Sequence, residues 1–153
     1  MAIYTTQKTQ TYGTVVGQGG SRNLVFDGVA VAMTTAMIDN ANDEVELLYV
    51  PAGAVITAVE LRCTDVDTNG TPTIKWDVGD DSDEDRLMAA LTVGQSAATS
   101  TTLEATGFLY KYASATKIKA YVNTAAATAA AGTLYFRIGY FIDPNFTLAN
   151  AVV

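Results

Sequence analysis

The sequence predicts an all-β fold, an antiparallel β-sandwich of jelly-roll-like build, with an extended N-terminal arm over residues 1–24 and a single domain over residues 25–153. Three observations carry this expectation. Apolar residues recur at every second position in one short segment after another, the pattern of strands buried on one face. Gly, Asn, Asp and Pro separate these segments at the spacing expected of turns. The opening "MAIYTTQKTQTYGTVVGQGGSRN" is rich in Thr and Gln and broken by Gly, with no sustained apolar face.

The elements follow in order. In "GVAVAMTT", Val29, Val31 and Met33 share one face against Ala30, Ala32 and Thr34. In "DEVELLYV", Val45, Leu47 and Tyr49 are set against Glu44, Glu46 and Leu48. "VPAG" at 50–53 is a turn, because Pro51 presets its own dihedral and Gly53 relaxes the next. "AVITAVELRC" alternates from Val55 through Val59 and Leu61 to Cys63, with Glu60 and Arg62 opposite. In "TIKWDV", Ile74, Trp76 and Val78 oppose Lys75 and Asp77, which places Trp76 in or near the core. "GFLYKY" reads as a short aromatic strand with Phe108, Tyr110 and Tyr112 in phase. "TKIKAYV" sets Ile118, Ala120 and Val122 against Lys117 and Lys119. "NTAAATAAAG" at 123–132 suits either a turn of helix, by alanine propensity, or a loop. "TLYFRIGYFI" places Leu134, Phe136, Ile138, Tyr140 and Ile142 inward and Tyr135, Arg137 and Phe141 outward.

Composition narrows the function classes. The chain has 153 residues, 49% of them hydrophobic and only 16% charged, which suits one domain with a full core. The low charge hints that part of the surface is covered by a partner. Nine basic residues are scattered through a chain of net charge −7. Nucleic-acid binding needs clustered Lys and Arg, and anionic membranes make the same demand, so neither is expected as a partner. The one cysteine, Cys63, reads as a small buried hydrophobe, and no disulfide framework is expected. The N-terminus shows no apolar run of signal-peptide type and no stretch has the length of a membrane span, so synthesis in the cytoplasm is expected.

No enzymatic activity is expected. Histidine is absent, which removes the usual general base and the Ser–His and Cys–His systems. "GQGGSRN" lacks the Lys-Ser/Thr of a phosphate loop. The acidic run "DVGDDSDEDRL" crowds Asp77, Asp80, Asp81, Asp83, Glu84 and Asp85 into one polar turn. Working glycosidase pairs need environments that split their pKa values, which such a turn does not supply. Asp77 and Gly79 are expected to end a strand, with Asp80 to Glu84 a solvated turn. Asp85 or Asp83 then pairs locally with Arg86, while Leu87 and Met88 face the core. Calcium is the one cofactor to weigh. Asp65, Asp67, Asn69 and Gly70 match the first half of a calcium loop, but Trp76 stands where the closing Glu belongs. Asn-Gly is equally the ordinary hairpin signal, so "DVDTNG" is either a weak calcium candidate or a hairpin loop.

Taken together, "VPAGAVITAVELRC", "TIKWDVGDDSDEDRLMAA", "GFLYKY" and "TLYFRIGYFI" give residues 28–143 a resemblance to small β-sandwich virion proteins of tailed bacteriophages, of the capsid decoration (cement) type. The resemblance implies a homo-oligomer, often a trimer, on the capsid exterior at junctions between major capsid subunits. The arm, through Ile3, Tyr4 and Tyr12, is expected to order on a neighbouring capsid subunit. Tyr135 and Phe141, as large outward aromatics, are expected at the oligomer interface. The alternative is a receptor- or glycan-binding module of a phage tail or appendage.

Overall fold

The computed structural model describes residues 3–5 and 24–143. The strands are β1 (Ile3–Thr5), β2 (Val25–Met33), β3 (Glu44–Val50), β4 (Ala54–Cys63), β5 (Lys75–Asp80), β6 (Asp83–Leu91), β7 (Thr99–Ser100), β8 (Thr116–Thr124) and β9 (Gly132–Ile142). They form two sheets, one of five strands in the order β1-β3-β8-β5-β6 and one of four in the order β2-β9-β4-β7. Every pairing is antiparallel except that of β1, which lies parallel to the edge of β3. The two layers make the expected all-β sandwich. Its core is closed by Trp76, Phe136, Tyr140, Leu47, Ile56, Leu61, Ile118 and Leu134, all essentially without solvent contact.

The alternation survives intact in β2, β8 and most of β9. β2 runs against β9 through nine consecutive residue pairs without a shift. Elsewhere bulges change the phase. β3 slips between Glu46 and Leu48, so Leu47 and Leu48 are both buried and Tyr49 turns outward, 53% exposed. The expected grouping of Tyr49 with Val45 and Leu47 therefore fails after the bulge. β4 slips between Ile56 and Ala58, where the Thr57 hydroxyl donates to the Gly139 carbonyl at 3.0 Å. As a result Ile56, not Val55, joins Val59, Leu61 and Cys63 in the core, and Val55 is buried outside it. At the far end of β9, Ile142 is exposed rather than inward.

"GFLYKY" is not a strand. The chain turns through 105–109, with Leu109 at a left-handed φ of 57°, and this breaks the phase between Phe108 and Tyr110. Residues 109–112 still run along β4: Leu109 N donates to Ile56 O, Ile56 N to Tyr110 O, and Tyr112 N to Ala54 O. That segment is what buries Val55. Residues 125–131 form a loop, not a helical turn, because their amides are claimed by another part of the chain.

The claimant is Asp67, 1% exposed. Its Oδ2 accepts from the amides of Thr73 (2.7 Å), Ile74 (3.1 Å) and Ala127 (3.0 Å). Its Oδ1 accepts from Thr128 (2.9 Å) and Asn69 (3.4 Å). Asp65 in turn accepts from Asp67 N, and the Asn69 oxygen from Thr71 N. The residues of the calcium candidate thus form a ladder of side-chain-to-backbone bonds that ties the 65–73 loop to the 125–131 loop. Burial works to raise the Asp67 pKa, but the amides of Thr128, Thr73, Ala127 and Ile74 outweigh it and hold the group at about 2.

A carboxyl held below its unfolded value stabilises the fold above that value and loses the contribution as pH falls through the folded one. Asp67→Asn removes one acceptor oxygen from a set of buried amides, at a cost of about 1–3 kcal/mol. Its thermal midpoint at neutral pH falls by several degrees. Its stability also declines less between pH 4 and 2 than the wild type's, as read by thermal unfolding across that range. Equal midpoints for the two proteins at neutral pH would remove Asp67 from this role.

Candidate functional site

The acidic run folds into a tight hairpin, narrower than the sequence suggested. β5 extends to Asp80 and β6 begins at Asp83, so the turn is Asp81-Ser82 alone. Asp80 is buried rather than solvated. Gly79 makes the close approach possible, since a Cβ there would sit 2.1 Å from the Asp83 carbonyl oxygen. Asp80 then becomes the centre of a polar node. Its Oδ2 accepts from Arg86 Nε at 2.7 Å and from the Tyr112 hydroxyl at 3.0 Å, and its Oδ1 from the Ser82 amide and hydroxyl. Asp83 stands farther from Arg86, at 3.5 Å, so the main partner of Arg86 is Asp80 rather than Asp83 or Asp85. The guanidinium also stacks 4.0 Å from the centre of the Tyr110 ring, and Tyr110 meets Tyr112 edge to face.

The electrostatics follow from this packing. Burial works to raise the Asp80 pKa, but the bonds from Ser82, Arg86 and Tyr112 more than offset it and the group lies below the usual carboxylate range. Burial pushes the Tyr112 phenol up, and the Asp80 charge beside it adds to the shift. Asp77 plays a similar part earlier in the hairpin. Its Oδ1 accepts from the Ala90 amide at 2.5 Å and its Oδ2 from Asn123 Nδ2 at 2.7 Å, and Ala90 holds a left-handed φ of 49°. Asp77 and Asp80 therefore fasten β6 and the 109–112 segment onto β5. Among the described residues, no group of three or more His, Cys, Asp or Glu is placed to hold a metal ion. Cys63 is buried in the core, and burial, with Asp65 nearby, pushes its thiol up to about 12.

The outer faces of the two sheets differ. On the five-stranded sheet, Lys117 pairs with Glu46, and Lys119 with Glu44 and Asp81, so the charges are matched in place. On the four-stranded sheet the outer face carries a groove of about 510 Å³ lined by Phe26, Thr57, Ala58, Leu103, Phe108 and Gly139, with Glu60 and Arg137 at its rim. Phe26 lies 60% exposed and Phe108 53% exposed. The ring of Phe26 rests over Gly139, where a Cβ would come within 2.7 Å of it. Tyr135, 38% exposed, lies beside Arg62 on the neighbouring strand, with the guanidinium 5.2 Å from the ring centre.

Of the residues singled out from sequence, Tyr135 is on this outer face. Phe141 is half-buried at the far end of β9, six positions along, with Arg137 and Gly139 in between, so the two do not form one patch. For Ile3 and Tyr4 the backbone is placed, on the edge of β3 opposite Glu44 and Val45. Tyr12 lies outside the described residues. Sequence reasoning missed Phe26 and Phe108. The signal for Phe26 was a glycine within the strongest strand, since Gly139 is its cross-strand partner.

The node gives a direct test. Arg86→Ala leaves the buried Asp80 carboxylate without its cation, a change that costs about 3–5 kcal/mol when one partner of a buried pair is removed. For a domain of this size that lowers the thermal midpoint by roughly 6–20 °C. Because Asp80 is held below its ordinary pKa, its contribution is present at neutral pH and is lost in acid. The gap between Arg86→Ala and wild type therefore narrows as pH falls below the carboxylate range. A gap that stays constant with pH would contradict the assigned pairing.

No family model matches the chain, and no curated protein matches it. Solved structures do. The chain is similar to one in the cyanophage Pam1 capsid asymmetric unit, at 30% identity and a TM-score of 0.70, covering 90% of this chain and 98% of that one. It is similar to a chain of the capsid of Ralstonia phage GP4, at 26% identity and a TM-score of 0.68, covering 86% and 92%. A chain in the acidic stable capsid structure of Helicobacter pylori bacteriophage KHP30 shares the fold at 18% identity and a TM-score of 0.55, covering 80% and 89%. With 30% identity across nearly the whole of the cyanophage chain, this protein belongs to the same family as that capsid chain and is a structural protein of bacteriophage virions.

Proposed function

We propose that the protein is a capsid decoration (cement) protein. It binds the capsid exterior at junctions between major capsid subunits, as a homo-oligomer, most simply a trimer, and stabilises the shell. The observation that carries this reading is the extent of the cyanophage match: a sandwich of this size accounts for 98% of a chain within a capsid asymmetric unit. A sandwich that makes up nearly all of such a capsid chain suits an added component better than the shell itself. Its carboxylates support a structural role, since Asp67, Asp77 and Asp80 are spent on holding loops and strands together. The arm reading keeps Ile3, Tyr4 and Tyr12 as the contact with a capsid subunit. The three-residue pairing of β1 at a sheet edge is short enough to be exchanged for a partner's edge at low cost.

The experiment is reconstitution. Heads assembled without this protein are incubated with the purified chain, and the copies bound per major capsid subunit are counted. Occupancy is expected to saturate at a fixed ratio, and saturated heads are expected to resist heating better than bare ones. A chain lacking residues 1–12 is expected to stay oligomeric and bind heads more weakly, because arm contacts act through many copies at once. Binding to host cells or glycans without binding to heads would replace this reading with that of a receptor module.

A further inference from the structure

We propose that the groove between Phe26 and Phe108 is a docking face for a second copy of this chain, and that its arginines receive the acidic edge of β6 from that copy. The proposal rests on reading the protein as an oligomeric capsid component and says which surface joins the copies.

Shape is the first argument. The floor of the groove is Ala58 and Gly139, which project almost no side chain, and its walls are two phenylalanine rings, each more than half exposed. Large aromatics rimming a concave apolar surface are the usual makeup of a protein–protein contact centre. Charge then selects the partner. Among the outward side chains of β4 and β9, Arg62 and Arg137 stand against one acid, Glu60, whose bridge to Arg137 is long at 3.8 Å and exposed. The side chain of Arg137 is 63% exposed. The outward charges of these two strands thus sum to a positive value on a chain of net charge −7. The complementary surface is on the chain itself. Glu84 and Asp85 are exposed on β6, the edge strand of the other sheet.

The 101–109 loop links the two surfaces. It contributes Leu103 and Phe108 to the groove, while Glu104 N donates to Leu87 O and the Thr106 hydroxyl to Arg86 O on β6. That loop covers β6 at Arg86 and Leu87, immediately past the acidic residues. Groove and acidic edge are therefore different patches set side by side. When one copy's edge meets the next copy's groove the contact is heterologous, and such contacts form a ring where the rotation between copies closes. Like charges on two copies of an acidic chain repel, so a contact placing acid against arginine is the arrangement that association favours.

Light scattering on the full-length protein at micromolar concentration tests this. The wild type is expected to be oligomeric, less so at high salt. Phe108→Asp is expected to weaken self-association about tenfold or more while leaving the thermal midpoint of the monomer in place. Phe26→Asp serves as the second variant should Phe108→Asp misfold. Arg62→Glu with Arg137→Glu is expected to dissociate the oligomer, and adding Glu84→Lys with Asp85→Lys in the same chain is expected to restore it. A monomeric wild type, a folded oligomer in both aspartate variants, or no restoration by charge reversal overturns the inference. Head binding is measured in parallel. A Phe108→Asp variant that stays oligomeric but no longer binds heads assigns the groove to a capsid subunit and overturns the inference alone. A wild type that oligomerises through this face but never binds heads overturns the capsid reading and leaves the contact between copies.

Discussion

A β-sandwich satisfies its backbone within the sheets but must find other partners for the loops that close its two ends. Here that need is met by one buried carboxylate at each end of β5. Asp67 takes up amides from the segment entering β5 and from the loop between β8 and β9. Asp80, at the other end, holds the hairpin turn, Arg86 and Tyr112. A carboxylate is the right group for this task because it accepts several bonds at once and donates none. Each charge is buried, and each is stabilised by enough donors to stay ionised, which is why both groups lie below the usual carboxylate range. The same arrangement gives two of the chain's acids a structural task.

Much of the fold was legible because period-two alternation is a direct consequence of burying one face of a strand. β2, β8 and β9 show it over nearly their whole length, and their inward residues are those the pattern marks, save Ile142 at the end of β9. The misreadings fall where a bulge adds one residue, which reverses the face of everything after it. Leu47-Leu48 is such a place, and Ile56-Thr57-Ala58 another. A doubled apolar pair was the only mark of the first. The second left no mark in composition, since its cause is a hydroxyl bond from Thr57 to a strand 82 residues away. "GFLYKY" alternates properly and is still not a strand, because Leu109 takes a left-handed conformation that periodicity does not report.

The site was less legible than the fold for a related reason. Tyr135 is outward by alternation alone, but a groove is a property of several strands and loops together. Phe26 lies over Gly139 only because β2 and β9 pair in one register. Phe108 reaches the same face only because the 105–109 turn carries it there. The acidic run was legible as a turn, yet its division into buried and exposed acids depends on Arg86 and Tyr112, the latter 32 residues from Asp80 in sequence. Chains that meet across such distances are read from register, and register is what bulges conceal.

The two outer faces show how a chain with so little charge divides its surface. On the five-stranded sheet the lysines of β8 are matched to the glutamates of β3, and Lys119 also reaches the hairpin turn at Asp81, so this face has little electrostatic demand left. On the four-stranded sheet the outward positions of β2 are Phe26, Gly28, Ala30 and Ala32, small or aromatic throughout, and the neighbouring strands add Ala58, Gly139 and Tyr135. Alanine and glycine let another backbone approach closely, and the aromatics supply contact area at low entropic cost. A polar, internally neutralised face meets water without further partners, whereas a small-residue face with projecting rings gains from being covered. Small residues and projecting rings are thus gathered on the four-stranded sheet, beside the charged side chains of Glu60, Arg62 and Arg137.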